Sequence, residues 1–446
     1  MTSINSKLAT SPIVSTISPK LTAAALKQKY SEAKQQNKKL KLELVFAIEQ
    51  NDSLAQKEFV KKLLRSPSAL FVSAVKANRK LRLENQVPMK KCFEIANSIH
   101  LGKSISEEIS CRIITKKSGG YRVIHDFGLK HRTAQIAIGQ VLGAYLRPRS
   151  FQFTHKGVKR AIIRAKALIK AGYVYSARLD IKDFYPSFNA KALLDVLPIP
   201  KRIAVQTVVG QYMKEMKLKG KISPYIGGMA SPKIKLFHTL ARQGIPMGAA
   251  TSPIIGMMII SRLAWVSIHG VMIINYADDF LVLAKSPALL EKARVKLAAA
   301  VGKLPGGHFN LVVKGEGSIS DEITFLGHVF SSDHGQVRVS PTPANIEAFY
   351  ANLNEFEDDE LLPFINGSGK KDQNVALQIG GTYYAKVRGW MSAFSACDDL
   401  EVRAGYLALH GLKEALSKLG VTEAQAKVVS KPYFSVEKKI EYLHCN

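Results

Sequence analysis

The sequence predicts an α+β fold in which a helical N-terminal region precedes a mixed body of strands and helices. Three observations predict it. From Leu21 to Ile99, apolar residues recur at three-to-four spacing with few breakers, the period of amphipathic helices. From Ser110 the period changes to alternation in CRIITKKSGGYRVIHDF, around Ser118-Gly119-Gly120, the pattern of a β-hairpin with a glycine turn. Two later apolar runs each carry an aspartate at a strand end: Tyr173 to Asp180, and Val271 to Ala284 folded about a tight turn at Ala277-Asp278.

The remaining elements follow in order. Residues 1–20, rich in Ser, Thr and Pro, read as a flexible tail. LKQKYSEAKQQNKKLKLELVFAIEQ reads as a basic amphipathic helix, whose cationic face is either simply solvated or in contact with a polyanion. Thr133 to Ala144 and Ser252 to Val266 read as helices, the second buried, and Leu289 to Val301 as an amphipathic helix. Thr324 to Phe330 and Val337 to Val339 read as short strands. From Pro341 the chain reads as mainly helical, with breaks near Asn366 to Lys371 and at Gly380-Gly381. This gives three expected regions: 1–100, basic and helical; 101–330, the mixed body; and 331–446, mainly helical.

Bulk properties narrow the function. The chain has 446 residues, 46% apolar and 22% charged, an ordinary globular composition. The longest apolar region, Pro253 to Ile274, is broken by Ser261-Arg262, Ser267 and His269, so no membrane span is expected. The N-terminus lacks a signal-peptide core, which predicts a cytoplasmic protein. Cys92, Cys111, Cys397 and Cys445 are scattered and form no CxxC pair, and the histidines show no HxxH or HExxH spacing. Any metal must therefore be held by carboxylates.

Net charge is +29, which points to a polyanionic partner. Residues 1–100 hold 18 basic and 7 acidic residues, residues 101–330 hold 34 and 13, and residues 331–446 hold 12 and 15. Four of the 13 acids in the middle region are Asp180, Asp183, Asp278 and Asp279. Scarce carboxylates gathered at two short motifs suit a surface that binds a polyanion broadly and holds cations at one spot. The acidic run at Glu355, Glu357, Asp358, Asp359 and Glu360 reads as a solvated loop.

The two motifs are LDIKDFYPSF, from Leu179 to Phe188, and INYADDFLVLA, from Ile274 to Ala284. Neighbouring strands of one sheet can aim such carboxylates at a common point. Nucleotidyl transfer needs that arrangement, because two Mg²⁺ ions about 3.5–4 Å apart bridge the attacking oxygen and a triphosphate. Asp180 and Asp278 are the expected metal ligands, with Asp279 assisting and the Ile181 carbonyl supplying a further oxygen. The competing reading is that Asp278-Asp279 is ordinary turn chemistry. Apolar runs on both sides weigh against it, because adjacent carboxylates there are costly without cations.

These residues also carry a family resemblance. Tyr276-Ala277-Asp278-Asp279 resembles the YADD box of bacterial reverse transcriptases, and LDIKDFYPSF resembles their first catalytic motif. Arg242-Gln243-Gly244-Ile245-Pro246-Met247-Gly248, followed by Ser252-Pro253, resembles their QG…SP motif. The three stand in the family's order, about 60 and about 30 residues apart. Lys116 to Arg122 resembles the fingers hairpin, Phe151 to Gly157 the aromatic-glycine segment before the first aspartate, and Phe325-Leu326-Gly327 the primer-grip hairpin. Arg388-Gly389-Trp390 lies where related enzymes have a thumb helix.

The resemblance implies a right-hand polymerase, with fingers and palm over 101–330 and a helical thumb over 331–446. It implies an RNA-directed DNA polymerase using two Mg²⁺, for which Mn²⁺ can substitute. Lys117 and Arg122 would pair with the dNTP triphosphate, Tyr185 would act as steric gate against a ribose 2′-OH, and Gln243 would contact the dNTP. Gly244 would lie under the templating pair, where glycine permits close approach, and Tyr276 would meet the primer end. Lys314 would donate a proton to pyrophosphate, a surface lysine being the competing reading.

Within the family, Ser252-Pro253 argues against the diversity-generating class. Arg160 to Ala165 lacks the Asn and His of the retron NAxxH element, and no VTG follows in the thumb region. No Cys/His cluster of an appended endonuclease appears after Phe330. What remains resembles the stand-alone, defence-associated (antiphage) bacterial reverse transcriptases. That implies a cognate noncoding RNA as template, a cDNA product and no membrane partner, with a homo-oligomer compatible. The alternatives are a retron-type enzyme making RNA-linked DNA, template-independent or protein-primed synthesis, and a noncatalytic RNA-binding scaffold.

Overall fold

The computed structural model describes residues 22–81, 85–116, 119–219, 225–226, 229–230, 232–265, 267–361, 363 and 373–398. The expected N-terminal tail (residues 1–20), Lys117 and the break at Asn366 to Lys371 lie outside the described residues. The first helices are α1 (Ala23–Glu49), α2 (Ser53–Arg65), α3 (Pro67–Asn78) and α4 (Met89–Ser98). Then come β1 (Ile109–Thr115), β2 (Tyr121–Asp126), α5 (Leu129–Tyr145), α6 (Val158–Lys170), β3 (Tyr175–Ile181), α7 (Ala190–Val196) and α8 (Lys201–Thr207). The short strands β4 (Met216–Leu218), β5 (Tyr225–Ile226) and β6 (Met229–Ala230) precede α9 (Pro232–Ala241) and α10 (Ser252–Ile260). Next are β7 (Val271–Tyr276), β8 (Asp279–Ala284), α11 (Pro287–Gly302) and β9 (Leu311–Ser318). The last are β10 (Ile323–Phe325), β11 (His328–Asp333), β12 (Gln336–Pro341), α12 (Pro343–Phe356) and α13 (Gln373–Ala393). No helix among the described residues is long and apolar enough to cross a membrane.

The helices begin where short polar side chains can take the orphan amides of a first turn. Asp52 accepts from the N–H groups of Leu54 and Ala55 at the start of α2. Ser66 and Ser286 cap α3 and α11, each followed by proline at the first helical position.

The chain divides into two compact units. The first comprises the described residues up to Tyr145 together with Leu197–Ser252. In it α3 packs on α1, α4 and α5. A buried polar chain joins three of these helices: Asn37 donates to Gln140 at 2.7 Å, and Gln140 donates to Ser73 at 3.0 Å. The β1–β2 hairpin pairs as the alternation predicts, Thr115 opposite Tyr121, and β4 adds in parallel to β1. Ile109, Cys111 and Val123 from this sheet, and Phe127 just after it, share a core with Met213, Phe237, Ala241 and Ala249. Full burial of each such large side chain stabilises by about 1.5–3 kcal/mol.

The second unit comprises Leu146–Val196 and the described residues from Pro253 onward. At its centre is a four-stranded antiparallel sheet of order β7-β8-β3-β9. Ile274, Leu281 and Leu283 of this sheet share a core with Ala161, Ile162, Ala165 and Leu168 of α6, and with Phe325, Phe330 and Val339 of a second sheet, β10-β11-β12. Helix α11 packs on β3, β7 and β8. Trp390 of α13 stacks on Phe349 of α12, ring centroids 4.2 Å apart.

The α+β expectation is met, with local corrections. The helix expected from Ser252 to Val266 ends at Ile260, where the Ser261 hydroxyl donates back to Met258 O at 2.7 Å. The strand expected from Thr324 to Phe330 is two strands, split by Leu326 (φ 49°) and Gly327 (φ 79°). The acidic run is helical: Glu355 lies in α12, and Glu357–Leu361 continue as a π-helical turn whose Glu357 accepts from the Tyr383 hydroxyl at 2.9 Å. Gly380-Gly381 lie inside α13 and do not break it.

Two outcomes test this packing. Gly248 has φ 104°, and a Cβ there would lie 2.1 Å from the His125 carbonyl oxygen. Gly248→Ala should cost about 3 kcal/mol, since overpacking adds to backbone strain; an unchanged thermal midpoint would contradict it. His125 is buried, and burial holds its imidazole below the ordinary value of 6.5, although the Ala241 and Met247 carbonyls oppose that shift. The folded chain then refuses a proton that the unfolded chain accepts. This contribution is complete above about pH 6.5 and is lost as pH falls through it toward the depressed folded value. Thermal midpoints measured at about pH 7.5 and about pH 5.5 should show a shallower fall for His125→Gln than for the parent protein.

Candidate active site

The site is built on the end of the central sheet in the second unit. Asp180 on β3 stands directly opposite Asp279 on β8, and Asp279 stands directly opposite Tyr276 on β7. Opposed residues of an antiparallel pair point to the same face, so the two carboxylates share one face of the sheet. Asp278 lies in the two-residue connection between β7 and β8, and its carbonyl accepts the Ile181 N–H at 3.1 Å. The tip of the turn is thereby tied to the end of β3, beside the Ile181 carbonyl proposed as a further oxygen ligand.

Like charges directly opposite one another are destabilising, and the electrostatics show it. Burial first, then the charges of Asp278 and Asp180, push the Asp279 carboxyl up to about 6, while Arg178 and Lys314 pull it down. Lys314 Nζ lies 3.2 Å from Asp180 Oδ2. This contact depends on a β-bulge. Arg178 pairs with Gly315 and Leu179 with Val313, so Lys314 is the extra residue on β9. A bulge re-aims one side chain out of the regular alternation, here onto Asp180.

The turn needs support, because Ala277 has φ 53°, a left-handed conformation costly for a residue with a Cβ. Thr154 Oγ1 accepts the Ala277 N–H at 2.7 Å. The fully buried Asn275 donates from Nδ2 to the carbonyls of Ala277 at 2.9 Å and Asp279 at 3.1 Å. Asn275 is also gripped by its backbone, donating to Phe151 O and accepting from Phe153 N–H, both at 2.8 Å. Buried Gln152 fixes that segment by donating to Met257 O at 3.0 Å. The family resemblance marks the Phe151 to Gly157 segment but not its role in holding this turn. The only signal for Asn275 was a polar residue inside an apolar strand.

Tyr185 follows β3 and stacks obliquely on Phe184, centroids 5.7 Å apart. Phe184 in turn packs on Phe188 and Phe309. Gly256 of α10 leaves room for this ring: a Cβ there would lie 2.9 Å from Phe184 Cε1. Burial, then the Asp278 charge, pushes the Tyr185 phenol up to about 12, so it stays protonated.

The donor set suits a divalent cation. Carboxylates crowded on one sheet face, one of them pushed up to about 6 by burial and then by the charges of Asp278 and Asp180, are short of positive charge. Among the described residues, no group of three or more His, Cys, Asp or Glu side chains is arranged to hold a metal ion. Mg²⁺ commonly uses one or two carboxylates plus substrate phosphates and not an all-protein cage, and Asp180 and Asp278 are the residues that would supply those carboxylates.

Residues 114–330 match the family described as reverse transcriptase (RNA-dependent DNA polymerase). That stretch, just under half of the chain, is similar to the reverse transcriptase family. No curated protein matches the sequence significantly. Among solved structures, the chain is similar to telomerase from Candida albicans in complex with a fragment of telomeric RNA, at 12% identity and TM-score 0.31, covering 72% of this chain and 65% of that one. It is similar to the Sicinivirus 3Dpol RNA-dependent RNA polymerase, at 11% identity and TM-score 0.33, covering 70% and 64%. It is also similar to apo telomerase from Candida tropicalis, at 15% identity and TM-score 0.34, covering 76% and 66%. The chain thus spans just under two thirds of these chains' lengths, and TM-scores this low do not establish a shared topology.

Within residues 114–330, the candidate residues divide between the two units. Asp180, Ile181, Tyr185, Tyr276, Asp278, Asp279 and Lys314 lie in the second. Arg122, Gln243 and Gly244 lie in the first. Arg122 is exposed on β2, opposite Ile114. Gln243 and Gly244 begin a loop braced inside that unit: Gly244 O accepts from Gly210 N–H at 3.0 Å, His125 N–H donates to Met247 O at 2.8 Å, and Ser252 Oγ donates to Pro246 O at 2.8 Å.

The turn's support can be tested directly. Asn275→Leu removes two hydrogen bonds from part-buried carbonyls and should cost about 1–3 kcal/mol. Nucleotide incorporation should fall about 10–100-fold, as when an outer partner of a metal ligand is lost. Thr154→Val should act in the same direction more weakly. Unchanged incorporation in both would remove the turn's support from the site.

Proposed function

We propose that the chain is an RNA-directed DNA polymerase that extends a primer on an RNA template with dNTPs. The observation that carries the reading is the pair Asp180 and Asp279 directly opposed across β3 and β8, with Asp278 in the adjoining turn, inside a reverse transcriptase domain. Asp180 and Asp278 would hold Mg²⁺ or Mn²⁺, with Asp279 and the Ile181 carbonyl assisting. The bound ions would supply Lewis-acid stabilisation of the triphosphate and of the attacking 3′-oxygen. Lys314 balances the Asp180 charge and is the candidate proton source for the departing pyrophosphate. Lys117, Arg122 and Gln243 are assigned to the dNTP, Gly244 to the templating pair and Tyr276 to the primer end. Tyr185, its ring held by Phe184, would exclude a ribose 2′-OH.

The expected outcome is dTTP incorporation on a poly(rA) template with a DNA primer, abolished by EDTA. Asp180→Ala and Asp278→Ala should each reduce it by at least about 10²–10³-fold, the scale of losing transition-state charge stabilisation. Tyr185→Ala should improve use of UTP relative to dTTP by about 10–100-fold, the range a steric pocket contact commands. Incorporation that persists in both aspartate variants would overturn the assignment and favour the RNA-binding scaffold.

The finer biological reading is cDNA synthesis from a cognate noncoding RNA in bacterial antiphage defence, in the cytoplasm. It rests on the motif pattern: Ser252-Pro253 after the QG box, and Arg160 to Ala165 in place of the retron NAxxH element. Phage plating on cells carrying the parent gene or Asp278→Ala tests it, and equal protection by both would exclude a catalytic role in defence.

A further inference from the structure

The first unit contains a cavity of about 1050 Å³ formed by α2, the loop after α4, Tyr145 at the end of α5, and the segment from Leu197 into α8. Its chemistry is two-sided. Lys57, Lys61 and Arg65 of α2, Lys103 of the loop and Arg202 of α8 contribute five cationic side chains, and no Asp or Glu is among the described residues lining it. Its floor is apolar, with buried Leu64, Leu70, Leu101 and Ile199. Tyr145 and His100 add planar rings at its wall.

Four features argue that this is more than a solvated basic face. Lys57, Lys61 and Arg65 recur every four residues, which lines them along one side of α2 about 6 Å apart. None of these three, nor Lys103, has an ion-pair partner among the described residues. The carboxylate that α2 does offer, Glu58, pairs with Lys62 instead. Arg202 is fixed by donating from Nε to the Gly102 carbonyl at 2.8 Å, which joins two walls of the cavity.

We infer that this cavity binds a single-stranded segment of RNA, separately from the polymerase site. The cationic row along α2 suits successive phosphates. The rings of Tyr145 and His100 and the apolar floor suit unstacked bases, the combination by which proteins hold single strands. Unpaired cations gathered over an apolar floor repel one another until a polyanion neutralises them. The same unit shows that strain elsewhere: burial, then Lys41, Lys34 and Lys80, depress the Lys76 ammonium. The choice of RNA over another polyanion rests on the polymerase reading above. Such a site would hold a template RNA by a segment that is not being copied.

The test uses the full chain and a single-stranded RNA oligonucleotide carrying 4-thiouridine, with cross-linked peptides mapped by mass spectrometry. Cross-links are expected in the peptides containing His100 or Tyr145. They should fall at least about tenfold in Lys57→Glu/Lys61→Glu, two contacts whose loss also lowers the salt dependence of binding by about 1.4 in log–log slope. Lys103→Glu, on a different element, should act in the same direction and guards against misfolding of α2. No cross-link at these peptides, or cross-links unchanged in both variants, would overturn the inference. So would equal displacement by AMP at the same nucleotide concentration, which marks a free-nucleotide pocket, or by polyglutamate, which marks charge alone. Primer extension on poly(rA) by the same preparation separates the two readings. Extension without these cross-links sinks only this site. Cross-links without extension sink the polymerase reading and leave an RNA site.

Discussion

Asp180 and Asp279 face each other across one antiparallel strand pair, and this opposition of like charges organises everything around it. A sheet has no intrinsic use for two carboxylates at directly opposed positions. The fold tolerates them by placing Lys314 against Asp180 and by letting Asp279 drift toward neutrality. Arg178, two residues before Asp180 on the same face of β3, adds a second positive charge and donates to Thr324 at 3.0 Å.

Geometry around the turn serves the same end. A two-residue connection with Ala277 at positive φ sets Asp278 beside the end of β3, but it stores strain. Asn275 and Thr154 hold that strain with three hydrogen bonds, and Gln152 holds the segment carrying Thr154. The carboxylates are therefore positioned by strands and by a buried amide, a stiffer support than a free loop. The ring of Tyr185 is similarly constrained through Phe184, which packs into the space left by Gly256.

The charge distribution gains meaning from the fold. An excess of lysine and arginine says only that a polyanion is near. In the first unit, three of those cations lie in a row along α2 over an apolar floor, with no Asp or Glu among the described residues that line the cavity. That arrangement distinguishes a recognition surface from a basic solubilising one, since both have the same composition.

Much was legible in the sequence because it is local. Helical period through α1 to α4, alternation in β1 and β2, the Ser-Pro starts of α3 and α11, and the aspartates ending apolar runs are all set by neighbours in the chain. The elements missed or misjudged depend on distant contacts. Strand β9, with its glycines and charges, is recognisable only because β3 pairs with it. The split of β10 from β11 needs the two positive φ values at Leu326 and Gly327. The role of Asn275 follows from its hydrogen bonds to the Ala277 and Asp279 carbonyls and from its backbone pairing with Phe151 and Phe153. The sequence alone determined which carboxylates belong together and what class of chemistry they suit, because ligand chemistry resides in residue type and order. Only the tertiary structure decided that Asp180 and Asp279 are directly opposed, that a bulge turns Lys314 onto Asp180, and that α2 lines a basic cavity. Register, bulges and cavities arise from pairings between segments far apart in the chain, which no local pattern encodes.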